Sequence, residues 1–340
     1  MNVYVTKIQV NKVFHLENFD IELGPNEKKH LILTGENGSG KTVLLNNLAD
    51  FLLRIKIDTN LTFLAPQKEL DSLEQELKEL IAQQESKMVD NEDEIHFKES
   101  RIQYAKDQIN DIYGKASVEF NDIYELARKL KCQDFILCHY PATRRIQVTA
   151  PSNPEKPNLE PVLNVKDSKS KEFLKFLVNL KVQESLARNE GQDAAADEIK
   201  NWFLSFAFVL QKLFGSEEVS LGFNYRDYSF TINQKGRKFG FKELSDGYAA
   251  IFEILADLII KMQTPDKLTC NYEKEGVVLI DEVDVHLHLK LQSSILPLLT
   301  QFFPNIQFIV TTNSPFVVNF VKNAIAFDLG KLARIENLVE

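Results

Sequence analysis

Cysteine is scarce in this chain: three in 340 residues, at Cys132, Cys138 and Cys270. None of them has the close spacing of a metal-ligand pair, and an odd count fits a reduced interior better than a disulfide framework. Long apolar runs are also missing. Even the segment 248–260 is broken by Glu253 and Asp257, so no transmembrane helix is expected. The start, Met1-Asn2-Val3-Tyr4-Val5-Thr6-Lys7, lacks the form of a signal peptide, and the expected compartment is the cytoplasm. Positive charge is in deficit, 40 Lys and Arg against 49 Asp and Glu, for a net charge of −9. No global field therefore draws the chain to nucleic acid, although a local basic groove is still allowed. There is no internal repeat and no low-complexity segment.

What remains is ordinary globular composition, 44% hydrophobic and 26% charged, enough for one large or two modest domains. The most informative stretch is Gly35-Glu36-Asn37-Gly38-Ser39-Gly40-Lys41-Thr42. It fits the phosphate-loop pattern G-x-x-x-x-G-K-[ST]. A strand-like run, Leu31 to Thr34, precedes it, and a helix-like run, Val43 to Leu53, follows. The glycines let the backbone curl so that amide N–H groups face an anion, and the helix N-terminus adds partial positive charge. Lys41 would reach the outer phosphates as a point charge, and the Thr42 hydroxyl would ligate magnesium.

Upstream, Val3 to Val5, Ile8 to Val10 and Phe19 to Leu23 alternate as antiparallel strands. From 67 to 130 the chain turns rich in Glu, Lys, Gln and Asp. Leu70, Leu73, Leu77 and Leu80 are spaced three, four, three; Ile95, Ile102, Ala105, Ile109 and Ile112 are spaced seven, three, four, three. Two apolar seams separated by a turn-like Val89 to Asp93 predict an antiparallel helical hairpin, with two ordinary domain helices as the competing reading. The strand Phe135 to Cys138 leads into His139-Tyr140-Pro141-Ala142-Thr143-Arg144-Arg145. Four prolines in 150–162 read as a loop, and helices are expected at 171–184 and 194–214. Strands resume at 219–221 and 228–232.

Two further motifs follow. The apolar strand Gly276 to Ile280 ends in Asp281-Glu282, the Walker B pattern. It places Asp281 to hold magnesium and Glu282 to polarise an attacking water as general base. Before it, Leu244-Ser245-Asp246-Gly247 stands at the N-terminus of a helix whose apolar positions Ile251, Ile254, Leu255, Leu258, Ile259 and Met262 keep three–four spacing. That terminus is either a second anion site or a plain N-cap.

Together these motifs resemble the ABC-type ATPases of the SMC, RecF and OLD group, including the related ATPases of bacterial anti-phage systems. The resemblance covers most of the chain outside 67–130. It implies an α/β fold: an ABC-type P-loop ATPase domain at 1–66 and 131–340, with a mixed sheet, flanking helices and N-terminal antiparallel strands. A helical and signature lobe would occupy about 165–262, and the antiparallel hairpin would be an insertion at 67–130. It also implies ATP and magnesium as ligands, with hydrolysis to ADP and phosphate, which the departure at Asn313 would slow or leave to another gate. Ser245, Asp246 and Gly247 match the group's signature, which contacts the γ-phosphate held by a partner subunit. Asp284-Val285-His286-Leu287-His288 matches its D-loop, making Asp284 and His286 interface and water-positioning candidates; a solvated loop is the alternative. A homodimer or higher even-numbered assembly follows.

The chain departs from that group in two places. Asn313 stands where a phosphate-sensing histidine is common, and asparagine cannot carry positive charge. The glutamine expected after the strand 135–138 is replaced by Arg144-Arg145, either phosphate-reading, partner-contacting or simply salt-bridged at the surface, with Gln67 and Gln147 as weaker substitutes. The lysines at 166, 169, 171, 175 and 181 are the best local case for DNA, interrupted by Asp167, Glu172 and Glu184. Three functions stay open: a defence or toxin-control ATPase acting on a separate nuclease or toxin, an SMC- or RecF-like ATPase acting on DNA, and a nucleotide-binding scaffold with little turnover.

Overall fold

A computed structural model of the protein describes residues 2–85, 92–264, 272–318 and 323–335. The chain opens with strands β1 (Val5–Val13) and β2 (Leu16–Glu22), then β3 (His30–Thr34), the phosphate-loop segment and helix α1 (Lys41–Ile57). Helices α2 (Ala65–Glu85) and α3 (Glu92–Tyr113) follow, then β4 (Ala116–Phe120), α4 (Ile123–Lys131) and β5 (Phe135–Tyr140). A helical lobe holds α5 (Phe173–Asn189) and α6 (Asp193–Phe214), and three short strands come next: β6 (Ser220–Asn224), β7 (Ser229–Gln234) and β8 (Arg237–Phe239). The last part runs α7 (Asp246–Met262), β9 (Glu275–Ile280), α8 (Leu289–Gln292), α9 (Ile295–Phe302), β10 (Ile306–Thr311), α10 (Pro315–Val318), β11 (Ala324–Asp328) and β12 (Ala333–Arg334).

The central sheet has the order β12-β11-β3-β10-β9-β5, parallel throughout except for the β11–β12 pair. β3, β10, β9 and β5 are buried on both faces, which is why they read as continuous apolar runs rather than alternating ones. Ile32, Ile136, Val278, Ile280, Phe308 and Val310 face one core, built against the helical lobe. Leu31, Leu33, Val277, Leu279 and Ile309 face the other, built against α1 and the N-terminal strands. This is a mixed α/β fold with helices flanking the sheet.

The segment 67–130 contains more than two helices. α2 and α3 lie side by side, with Leu73, Ile102 and Ala105 buried along the seam. Ion pairs cross it between Glu76 and Lys98, Glu69 and Arg101, and Glu74 and Lys106. Of the expected turn at Val89 to Asp93, residues 89–91 lie outside the described residues, while Glu92 and Asp93 already belong to α3. After α3 the chain returns to the body: β4 pairs antiparallel with β1, Ile8 opposite Val118 and Val10 opposite Ala116, giving the order β2-β1-β4. The base of the hairpin is thus sewn into the N-terminal sheet on one side of α1.

Candidate functional site

Parallel strands deliver their loops to one edge of a sheet, and the candidate site lies at the C-terminal ends of β3, β10 and β9. β10 lies between the other two, so Thr311, Thr312 and Asn313 fall between the phosphate loop and the Walker B turn.

The loop takes its form from three glycines at positive φ: Gly35 at 141°, Gly38 at 85° and Gly40 at 92°. A side chain at Gly40 would also meet Leu16 Cδ1 at 2.9 Å. Helix α1 starts at Lys41 with no side-chain cap and no acid in its first turn, leaving its N–H groups free for an anion. The Lys41 ammonium is 2.7 Å from the Gly35 carbonyl and 2.9 Å from that of Glu36, with Ser39 Oγ at 3.4 Å. Burial pulls its pKa below the usual lysine value, against the opposing pull of Glu282, Asp281 and Asp284.

Asp281 is 3% exposed and is the hub of the opposite wall. Its Oδ1 accepts from Thr42 Oγ1 at 3.2 Å and from Thr311 Oγ1 at 2.6 Å. The same Thr311 hydroxyl accepts the Glu282 N–H at 2.7 Å, so one side chain sets both acids of the Walker B turn. Thr312 repeats the device: its hydroxyl donates to Asp284 Oδ1 at 2.5 Å and accepts the Ser314 N–H at 2.9 Å. Glu282 and His286 are held at φ of 44° and 59°. Such conformations cost non-glycine residues about 1–3 kcal/mol each and collect at functional sites.

The sequence-predicted residues fall into distinct places. Gly35 to Thr42, Asp281, Glu282 and Asp284 converge. Asn313 joins them, donating from Nδ2 to Asn37 Oδ1 at 3.0 Å. Arg144 lies behind the Walker B turn: its guanidinium donates to the carbonyls of Asp281 at 2.7 Å and Glu282 at 3.0 Å. It is 8% exposed, so the surface salt-bridge reading fails for it. Burial lowers its pKa to about 10 despite Asp281, Asp284 and Glu282 nearby. Arg145 is exposed and lies 3.9 Å from Asp246. Gln67 hydrogen-bonds to Asp71 on α2, and Gln147 is exposed. Ser245 and Asp246 stand exposed at the start of α7, Ser245 makes no side-chain cap, and no hydrogen bond among the described residues ties either to the phosphate loop. Gly247 packs on the D-loop; a Cβ there would lie 2.4 Å from the His286 carbonyl oxygen. Of the lysines considered for DNA, Lys166 pairs with Asp50, Lys175 with Glu155 and Glu172, and Lys181 with Glu184.

Sequence reasoning missed three contributors. Thr311 and Thr312 belong to no spacing pattern; hydroxyls ending a buried strand beside an Asp-Glu pair were the available signal. The third is the β1–β2 turn, where exposed Phe14, at φ 58°, packs edge-on against His15 with centroids 4.7 Å apart. Gly40 would bring a Cβ within 3.7 Å of His15, so this aromatic pair sits beside the loop.

A magnesium ion is the group the motifs imply. Hard divalent cations take oxygen ligands, and the Thr42 hydroxyl meeting a buried carboxylate is such a donor set. Oδ2 of Asp281 carries no hydrogen bond among the described residues. The residues therefore fit the ion. Among the described residues no helix is long and apolar enough to cross a membrane. Cys132 is exposed and Cys138 buried, both free; Cys270 lies outside the described residues.

Comparison with known proteins agrees with this geometry. Over 74 residues the chain is 42% identical to the Septu protein PtuA of Bacillus mycoides (strain KBAB4), spanning 22% of this chain and 10% of that protein. Over 80 residues it is 41% identical to the retron Ec83 probable ATPase of Escherichia coli, spanning 23% of this chain and 15% of the relative. The matches thus span a small part of those proteins. Among solved structures, an SMC head bound to the C-winged helix domain of ScpA aligns over 99% of this chain and 95% of its own, at 13% identity and a TM-score of 0.41, a likeness too loose to argue from. The family model described as "AAA domain, putative AbiEii toxin, Type IV TA system" matches residues 31–319. The chain belongs to that family of P-loop ATPases.

Proposed function

We infer that the protein binds and hydrolyses ATP at this site and uses the cycle to switch a dimer. The observation that carries the reading is the convergence of Lys41, Thr42, Asp281 and Glu282, wired through Thr311. The loop 35–42 and Lys41 would hold the phosphates. The ring pair Phe14–His15 offers a stacking surface for the base. Thr42 and Asp281 would hold magnesium, which when bound neutralises phosphate charge. Glu282 would take the proton of the attacking water, with Asp284, His286 and Asn313 orienting that water and the terminal phosphate.

Ser245 to Gly247 of a second copy would complete the pocket over the γ-phosphate. The exposed, uncapped start of α7 supports this, because its N–H groups are free for an anion. Hydrolysis then removes the charge that holds the halves together. The likeness to Septu PtuA and to a retron probable ATPase supports a defence setting, in which the cycle would control a separate effector, a nuclease or toxin. No observation in the fold favours direct action on DNA over this.

Phosphate release from ATP and magnesium tests the core of the reading. Wild-type protein should turn over, Lys41→Ala should lose nucleotide binding, and Glu282→Gln should bind but not hydrolyse. Turnover unchanged in Glu282→Gln would remove Glu282 from its role and leave a nucleotide-binding scaffold.

A further inference from the structure

The opposite end of the parallel sheet carries a different kind of site. At the start of edge strand β5, a cavity of about 240 Å³ opens between Phe135–Leu137, the loop at 159–163 and the C-terminal end of α7. Lys56, Lys131, Lys169, Lys261 and Lys274 line it, against one carboxylate, Glu160. Lys261 is matched by Asp257 at 2.6 Å. The other four have no carboxylate partner among the described residues. Lys131 donates to Asn60, Lys169 weakly to Asn158, and Lys274 to the carbonyls of Lys261 and Gln263 that end α7. Lys56 has no hydrogen bond or ion pair among the described residues. Burial holds both Lys56 and Lys274 below the usual lysine pKa, outweighing the pull of Asp167 and Asp257 on Lys56 and of Asp134 on Lys274.

A second, independent feature sits in the same wall. Gln263 is 3% exposed, and its side-chain oxygen has no hydrogen-bond donor among the described residues, while its nitrogen donates to the Ile259 carbonyl. A buried amide oxygen left without a donor costs free energy that a ligand hydroxyl would recover. Leu159, Val162 and Ile260 supply apolar wall between these polar groups. The volume lies below the ~300 Å³ at which pockets begin to take drug-sized ligands, which favours a small anion over a nucleoside triphosphate.

We propose that this cavity binds a small phosphate monoester bearing a free hydroxyl, a sugar phosphate in chemical class, with Lys56, Lys131 and Lys169 receiving the phosphate and Gln263 accepting the hydroxyl. It is separate from the nucleotide loop. The 13 residue steps along α7 from Gly247 to Ile260, which lines the cavity, put roughly 20 Å between them. The ligand would therefore grip the far end of the helix that begins with Ser245 to Gly247.

Ribose 5-phosphate is the probe. Calorimetric titration into protein saturated with a non-hydrolysable ATP analogue and magnesium keeps the phosphate loop filled. One site per chain is expected, with ribose alone failing to bind. The double variant Lys56→Gln/Lys131→Gln should bind about tenfold more weakly or worse. In wild-type protein, ribose 5-phosphate should protect Lys56, Lys131 and Lys169 from limited acetylation, read by peptide mass spectrometry, and leave exposed Lys12 unprotected. No binding, equal binding of ribose, or acetylation unchanged at those lysines would overturn the proposal, whatever the outcome at the nucleotide loop.

Discussion

Replacing Thr311 with valine removes one hydroxyl and keeps the shape of the side chain. That hydroxyl donates to Asp281 Oδ1 at 2.6 Å and accepts the Glu282 N–H at 2.7 Å, at a residue with no exposed surface. Each buried group left without a partner costs about 1–3 kcal/mol. Thr42 still reaches the carboxylate at 3.2 Å and offsets part of the first loss. The expected destabilisation is therefore about 2–4 kcal/mol. Thr311→Ser keeps the hydroxyl and loses only a methyl group, at about 1 kcal/mol. Urea unfolding of the two variants compares these costs at one site. Because Glu282 is held at a strained φ of 44° by that same hydrogen bond, the valine variant should also lose turnover by tenfold or more, about 1.4 kcal/mol of transition-state stabilisation. A valine variant as stable and as active as the serine variant would refute the idea that Thr311 sets both acids.

Gly247→Ala would drive a methyl into the His286 carbonyl, 2.4 Å away, so turnover should fall while nucleotide binding at the loop, read by a fluorescent ATP analogue, stays near wild type. Arg144→Lys should not rescue Arg144→Met in an ATPase assay, because one ammonium cannot bridge the Asp281 and Glu282 carbonyls as the guanidinium does. Stability should fall on mild acidification. His30 and His139 are buried, each with its pKa lowered to about 4, and neither nitrogen of His139 has a partner among the described residues. Both stay neutral in the fold and bind protons only when unfolded between pH 6.5 and 4. Their contribution is thus complete above 6.5 and is lost as pH falls toward 4, by up to about 1.4 kcal/mol per pH unit for each. His139→Phe should flatten the urea midpoint against pH over that window, and an unchanged slope would count against it.

The elements around the phosphate loop were legible because their signals are local. Fixed glycine spacing, a strand ending in Asp-Glu and a three–four apolar helix after Ser245 each lie within one segment. β4 was not legible: Ala116 to Phe120 is short, and its reason for being a strand is β1, more than a hundred residues earlier in the chain. Arg144 shows the same limit. A charged residue in a loop reads as surface, and only the approach of β9 to β5 turns it inward to cap two carbonyls. Thr311 and Thr312 were visible as strand residues, but their hydroxyl bonds cross from β10 to the turn after β9, a contact no spacing rule records.

Under the proposed mechanism the pocket closes only when two copies meet around ATP. Light scattering coupled to size exclusion, on Glu282→Gln with ATP and magnesium, tests it directly. The prediction is a species of twice the 39.0 kDa chain mass, reverting to one chain when Ser245→Arg is added. A single-chain mass with ATP demonstrably bound would contradict it.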